Sequence, residues 1–267
     1  MHDKGDTSLL LAAGEVSPVL EENADSVSPF FFTCDHYGRS IPRALGGLGV
    51  NASDLVRHIA WDIGIAGVAE RLAKDMGVHL IAQRYSRLTI DCNRPFSSPG
   101  SIPLISEATE IPGNSGLSDE QINARRRAIF NPYHAHIEQA LDARHTRGQP
   151  TILVSLHSFT PIYAGIARPW HVGTLYQHHA QLPSLLRDAL RAEGDLVVGD
   201  NEPYAVSDAT DYTIPVHAEQ RGLVNTGIEI RQDLIADEFG QQQWAERLAR
   251  IFRQIEETLH ATKLLAP

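Results

Sequence analysis

The stretch "SPFFFTCDHYGRSIP", Ser28 to Pro42, decides how the rest of the chain is read. Three consecutive phenylalanines, Phe30 to Phe32, stand between a Ser-Pro pair and a polar cluster. A short, continuous apolar run bounded in this way describes a strand covered on both faces, as in the middle of an α/β sheet. The run then delivers Asp35, His36, Tyr37, Gly38 and Arg39 within five residues. Reactive side chains at the end of a buried strand lie where open α/β sheets bind their ligands.

Working outward, the same grammar repeats. Residues 78–83, "VHLIAQ", 151–159, "TILVSLHSF", 171–177, 195–200 and 225–234 read as further strands. Residues 86–93, "SRLTIDCN", alternate Leu88, Ile90 and Cys92 against polar partners and also read as a strand. Residues 51–77 read as one long helix, with Ser53 as its cap, Asp54 in its first turn and Gly77 at its end. Residues 118–145 read as a second helix, opened by a Ser118/Gln121 capping box and kinked at Pro132. A further helix falls between the strands at 171–177 and 195–200, and residues 241–265 form an amphipathic closing helix. The segment 94–117, with four prolines, is a long loop of the kind that often carries function. Short apolar strands alternating with helices predict a single α/β domain over 28–267, with a mixed, mostly parallel sheet flanked by helices. Residues 1–27 read as a partly disordered extension.

Composition narrows the class of function. A chain of 267 residues at 42% hydrophobic can build one large core. A net charge of −10 leaves no basic surplus for nucleic acid. Residues 8–13, "SLLLAA", are too short for a signal or a membrane span, so a cytoplasmic protein with no membrane partner is expected. Cys34 and Cys92 read as two reduced, buried thiols rather than a disulfide framework. Of the 13 histidines, those in "QHHAQ" (177–181) and "YHAHIE" (133–138) read as surface, so position must pick out the others.

Four elements bring candidates together. His36 follows the first strand and His157 ends the strand 151–159. Asp62 falls within the apolar stripe Leu55, Ile59, Ala66, Ala69, Ala73 of the first long helix, with His58 four residues before it. Glu229 points opposite to Ile228 and Ile230. A buried carboxylate costs several kcal/mol unless paired, hydrogen-bonded or metal-bound. Two histidines and a carboxylate from separate elements are the usual donors for catalytic zinc, with the fourth position left open. His36, Asp62 and His157 are therefore the candidate ligands and Glu229 the candidate base. Each also has a structural reading: a hydrogen-bonded histidine, an acceptor for His58, a partner for Arg231. Arg87 and Asp91, four apart, form either an ion pair or, through Arg87 and Arg94, part of a grip on a substrate carboxylate.

In order, "CDHYGRSIP", "RHIAWDIGIAGVAERLA", "YSRLTIDCNRP", "GDNEPY", "DYTIPVHAEQRG" and "IEIRQDL" resemble the N-formylglutamate amidohydrolase family, from about residue 30 to 255. The resemblance implies an α/β fold similar to the zinc carboxypeptidases and the aspartoacylase group. It implies one divalent ion, zinc, and hydrolysis of N-formyl-L-glutamate to formate and L-glutamate in histidine breakdown. It carries over onto His36, Asp62, His157 and Glu229 in the roles above, and onto Arg87, Asn93 and Arg94 as candidates for binding substrate carboxylates. Arg39, Tyr204 and His217, within the quoted blocks, are further candidates.

Zinc carboxypeptidases carry a glutamate ligand three residues after the first histidine. Here that position is Arg39, so the third ligand must come from elsewhere, from Asp62 or, as the alternative, His58. Two other functions fit the residues: hydrolysis of another N-acyl amino acid or small peptide amide, and a metal-free binding protein for an acidic ligand. A small-molecule substrate and a monomer or small homo-oligomer are expected in the enzymatic cases.

Overall fold

Phe30 to Phe32 are fully buried in the second strand of a seven-stranded sheet, and their alternation splits the core in two. The computed structural model describes residues 10–261. In chain order the strands are β1 (Val19–Glu22), β2 (Phe30–Cys34), β3 (His79–Gln83), β4 (Ile105–Ser106), β5 (Thr109–Glu110), β6 (Ile152–Phe159), β7 (Ile162–Tyr163), β8 (Ile166–Ala167), β9 (Val172–Leu175), β10 (Val198–Asp200) and β11 (Val224–Arg231). The α-helices are α1 (Ile65–Met76), α2 (Asp119–Arg125), α3 (Asn131–Thr146), α4 (Gln181–Ala192) and α5 (Glu238–Ala261). Seven strands make the main sheet in the order β1-β3-β2-β6-β11-β9-β10, and β4–β5 and β7–β8 are separate hairpins. β3, β2, β6 and β11 run parallel, while β1 and β9 pair antiparallel with β3 and β11.

Phe30 and Phe32 face the layer of α1, α4 and α5, where their rings lie 4.9 and 5.8 Å from that of Phe252. Phe31 faces the opposite layer, with Tyr133, Ile137 and Leu141 of α3. Each such ring contributes roughly 1.5–3 kcal/mol by leaving water. The expected mixed, mostly parallel α/β sheet flanked by helices is the fold observed. Cys34 and Cys92 are free and buried. Among the described residues, no helix is long and apolar enough to cross a membrane.

Several local expectations change. Residues 51–64 are a series of turns, and helix begins only at Ile65, so Ser53 caps nothing and His58 and Asp62 share no helical face. Gly64 enforces the break: its φ is +80°, and a Cβ there would lie 2.0 Å from the Ile235 carbonyl oxygen. Gly77 does end the helix, in a left-handed conformation. Residues 86–93 form no strand, although Leu88, Ile90 and Cys92 are buried. The Leu88 and Thr89 carbonyls accept from the Asn114 amide and the Arg125 guanidinium, at 2.9 Å each, in place of a neighbouring strand.

The Ser118/Gln121 capping box is present. The discontinuity near Pro132 is a π-helical turn, Arg126–Phe130, just before α3. Within residues 1–27, set aside as an extension, Val19–Glu22 form β1 at the sheet edge; residues 1–9 lie outside the described range, as do residues 262–265 of the expected closing helix. His134, read as surface, is buried against His217, whereas His136, His178 and His179 are exposed.

Candidate active site

The parallel strands β2, β6 and β11 end side by side, and their C-terminal ends set the site. His36 lies two residues beyond β2 and His157 two residues before the end of β6, while Glu229 of β11 is in register with His157. Gly38 permits the exit from β2: a Cβ there would lie 2.0 Å from the Arg84 carbonyl oxygen, because the chain after β3 passes directly beneath. Asp62 reaches the same point from the turns before α1. Its backbone N–H donates to the His36 carbonyl at 3.0 Å, which brings residues 26 apart in sequence side by side.

Asp62 Oδ2 lies 3.4 Å from His36 Nδ1 and 2.9 Å from His157 Nδ1, and accepts from the Ser158 N–H at 3.2 Å. All three side chains are buried. One donor atom from each can be chosen so that all lie within 4.8 Å of one another. The far nitrogen of each imidazole is held by another carboxylate. His36 Nε2 is 2.8 Å from Asp91 Oδ1, and His157 Nε2 is 3.1 Å from Asp35 Oδ2. Such carboxylate contacts orient metal-binding imidazoles and settle their tautomers. Asp35 is braced in turn by the Tyr133 and Thr213 hydroxyls, at 2.9 and 2.5 Å.

The donor set fits a divalent cation. His36 Nδ1 is buried with no hydrogen-bond partner. The two Nδ1 atoms lie 3.4 and 2.9 Å from Asp62 Oδ2, close to the roughly 3.3 Å that separates tetrahedral zinc ligands at ordinary bond lengths. Charge points the same way. Asp35, Asp62 and Asp91 are all buried around the two imidazoles, and one guanidinium, Arg87, reaches Asp62 and Asp91. With neutral imidazoles, those three carboxylates outnumber the guanidinium by two negative charges, which a divalent ion would offset.

Without an ion, protons fill that role. Burial and the Arg87 charge act to lower the His36 pKa, but Asp91 and Asp62 outweigh them and leave it raised. Burial likewise opposes His157, yet its contacts with Asp35 and Asp62 hold it well above the ordinary imidazole value. Burial acts to raise the Asp62 carboxyl, but the two imidazoles hold it below the usual range. Glu229 behaves oppositely. Burial, with the Asp62 charge adding to it against His157, pushes Glu229 up to about 7, and its Oε2 is buried without a partner.

These groups line a cavity of about 380 Å³, within the range of small-ligand sites. His58, Arg87, Asn93, Arg94 and Tyr204 line it too, whereas Arg39 and His217 do not. Arg39 is exposed and stacks over Trp61. His217 lies 5.1 Å from the parallel ring of His134.

Arg87 is engaged by the site's own acids: Nε and Nη2 bond Asp91 Oδ2 at 3.0 and 2.6 Å, and Nη1 is 3.5 Å from Asp62 Oδ1. Asn93 is engaged as well, donating to Asp211 and accepting from the Tyr212 and Thr213 N–H groups. Arg94 turns Nη1 to the Asn93 and Thr210 carbonyls and keeps Nε and Nη2 without a partner among the described residues. Glu229 does not pair with Arg231, which binds Asp233.

Sequence reasoning did not foresee that Asp35 and Asp91 would orient the two imidazoles. The signal available was an acid directly before His36 and another inside the "RLTIDCNRP" block. Ser155 was also missed. Its hydroxyl lies 3.0 Å from His157 Nε2 and donates to Asp35 at 3.2 Å.

Buried donors at the ends of parallel strands, a cavity above them and an unpaired acid beside them are the parts of a hydrolase of the α/β class. The N-formylglutamate amidohydrolase family profile matches residues 28–236, and the chain belongs to that family, whose members are amidohydrolases. The fold is similar to that of a gene product from Agrobacterium tumefaciens, 35% identical with a TM-score of 0.90, across 94% of this chain and 99% of that one. It is also similar to an N-formylglutamate amidohydrolase from Ralstonia eutropha JMP134, at 19% identity and a TM-score of 0.68, across 92% of this chain and 100% of that one. At 19% identity the second likeness speaks for the fold alone. No curated protein matches the chain.

Proposed function

We propose that the protein is a zinc-dependent amidohydrolase that cleaves the amide of an N-acyl amino acid, with N-formyl-L-glutamate as the reference substrate of its family. The observation that carries this reading is His36 Nδ1, buried and unpartnered beside Asp62 Oδ2 and His157 Nδ1. His36, Asp62 and His157 would hold the ion through those atoms. Bound there, zinc supplies Lewis-acid chemistry, polarising an acyl carbonyl and making water more acidic.

The chain's own residues do the rest. Asp91 and Asp35 hold the imidazoles with Nδ1 toward Asp62. Arg87 holds Asp62 and Asp91 in place. Glu229 Oε2 accepts the proton of the attacking water and passes it to the nitrogen of the leaving amine. Burial pushes the Glu229 carboxyl above the usual range, toward the basicity that a group taking and giving a proton needs. Arg94 offers its open guanidinium edge to the substrate carboxylate. His58 is not needed as a ligand, since it lies outside the His36, Asp62 and His157 group and its Nε2 is 3.5 Å from Glu107 Oε2. Release of formate from N-formyl-L-glutamate by the zinc-loaded protein, against its absence from the metal-stripped protein, tests the reading.

A second reading has one observation in its favour. Ser155, His157 and Asp62 form a chain of contacts at 3.0 and 2.9 Å that resembles a nucleophile, base and orienting acid. Against it, Asp35 also sits on His157 Nε2, and Ser155 donates its proton to that carboxylate. A hydroxyl so engaged is a brace for Asp35 and a poor nucleophile.

A further inference from the structure

Resting on the amidohydrolase reading, we propose that Arg168 is a specificity-determining residue, which receives an anionic side chain of the substrate while Arg94 holds the α-carboxylate. Arg168 directly follows β8, and its N–H donates to the Pro161 carbonyl at 2.8 Å. That bond closes the β7–β8 hairpin, so the chain returns beside the end of β6. The guanidinium carbon lies 4.7 Å from the ring centre of Tyr163, 4.8 Å from that of Tyr204 and 5.9 Å from that of Phe159. All three of these residues line the cavity. Phe159 stands two residues after His157 and so shares its strand face. Arg168 is thereby held against the wall of the cavity that contains the candidate metal donors.

The guanidinium lacks the partner that its chemistry calls for. It donates to no carboxylate or carbonyl among the described residues, and its Nη1 is buried with no hydrogen-bond partner. A buried N–H without an acceptor is costly, and an anion supplies the acceptor. Stacked rings occupy the faces of a guanidinium and leave its in-plane N–H edges to grip a carboxylate. Arg87 differs, since all three of its nitrogens face Asp91 or Asp62. Tyr163 and Tyr204 are surface rings, 41% and 44% exposed, and rotation of either opens the Arg168 guanidinium to the cavity. Burial, with the Glu229 charge adding to it, pushes the Tyr204 phenol up, and the nearby Arg168 charge acts against both. The reach is also suitable. Two residues of strand span about 6.5 Å. The five bonds from the formyl carbon of N-formyl-L-glutamate to its side-chain carboxyl carbon span roughly 6 Å at ordinary bond lengths. A substrate with its acyl group at His157 therefore brings that carboxylate to Phe159 and Arg168.

The test compares kcat/KM of zinc-loaded protein for N-formyl-L-glutamate and for N-formyl-L-glutamine, which has the same shape without the side-chain charge. The parent should prefer the glutamate derivative by about 10- to 100-fold, the scale of a hydrogen-bonded charge pair. Arg168→Gln should lower that ratio about tenfold or more, chiefly through KM for the glutamate derivative. Arg94→Gln should slow both substrates by similar factors and leave the ratio standing, since both carry the α-carboxylate. If Arg168 only fastens the hairpin to β6, Arg168→Gln should slow both substrates equally, and that result would overturn the inference. Should the Gln variant not fold, Arg168→Lys, which keeps the charge but loses the fork, should lower the ratio several-fold, and a ratio equal to the parent's would overturn the inference. A parent that cleaves both substrates with no preference for the glutamate derivative would also overturn it and leave the amidohydrolase reading intact. Failure of zinc-loaded protein to cleave either substrate would overturn both.

Discussion

Asp91 Oδ1 lies 2.8 Å from His36 Nε2, and this contact turns the opposite nitrogen of the ring, Nδ1, toward Asp62. Arg87 closes the circle by binding Asp91 Oδ2 while facing Asp62 Oδ1. A donor of the candidate metal site is thus aimed by a residue that would not itself touch the ion.

Asp91→Asn should therefore weaken zinc binding without removing any ligand. Loss of a carboxylate behind a metal-bound histidine costs about 10- to 100-fold in affinity. A competition titration with a zinc chelator reads this directly. Affinity equal to that of the unmodified protein would show that the His36 orientation owes nothing to Asp91.

Glu229→Gln should retain zinc and lose about 10²- to 10⁴-fold in kcat, since the amide keeps the shape but accepts no proton. Stability gives a second readout in metal-stripped protein. Burial raises the folded-state pKa from 4.5 to about 7, so the native protein holds its proton more tightly than the unfolded chain. Stability from this group is present below pH 4.5 and is lost as pH rises through about 7. The melting temperature of Glu229→Gln, relative to the parent, should accordingly climb between pH 5 and 8. A flat difference across that range would mean that Glu229 is not a buried acid of raised pKa.

How much of this was legible in the sequence depends on the range of the interaction. Phe30 to Phe32 and the run 151–159 announce central strands because burial on both faces leaves an unbroken apolar string. The capping box at Ser118 is local and could be read at sight. Asp62 was picked for an apolar helical stripe that does not exist. It sits in the site because Gly64 breaks the helix and the Asp62 N–H reaches the His36 carbonyl. Residues 86–93 alternate like a strand, but their carbonyls are taken by Asn114 and Arg125, which no local pattern foretells. His134 looked like surface because its partners, His217 and the Cys92 carbonyl, are 83 and 42 residues away.

That buried histidine pair titrates far from neutrality. His134 Nε2 faces the Cys92 carbonyl, so Nε2 carries the proton and Nδ1 accepts from His217 Nε2. Burial pulls His134 down to about 4 and His217 to about 3. The unfolded chain binds protons first, so stability from the neutral pair is complete above pH 6.5 and falls as pH drops toward 4 and 3. Ring NMR signals of both residues should show no titration above pH 5. A midpoint near 6.5 for either would contradict the arrangement.

Ser155→Ala separates the two hydrolytic readings. If Ser155 braces Asp35, the variant should keep kcat within about tenfold, against the losses of 10⁴ or more that follow removal of a nucleophile. Collapse of activity with zinc content intact would assign the attack to the serine.

The account stands most directly on metal stoichiometry. Protein stripped with a chelator should hydrolyse no N-formyl amino acid, and added zinc should restore the rate linearly up to one equivalent per chain, then level off. His157→Ala should show neither the binding nor the recovery. Full activity in stripped protein, or restoration that ignores the loss of His157, would contradict a metal site built from His36, Asp62 and His157.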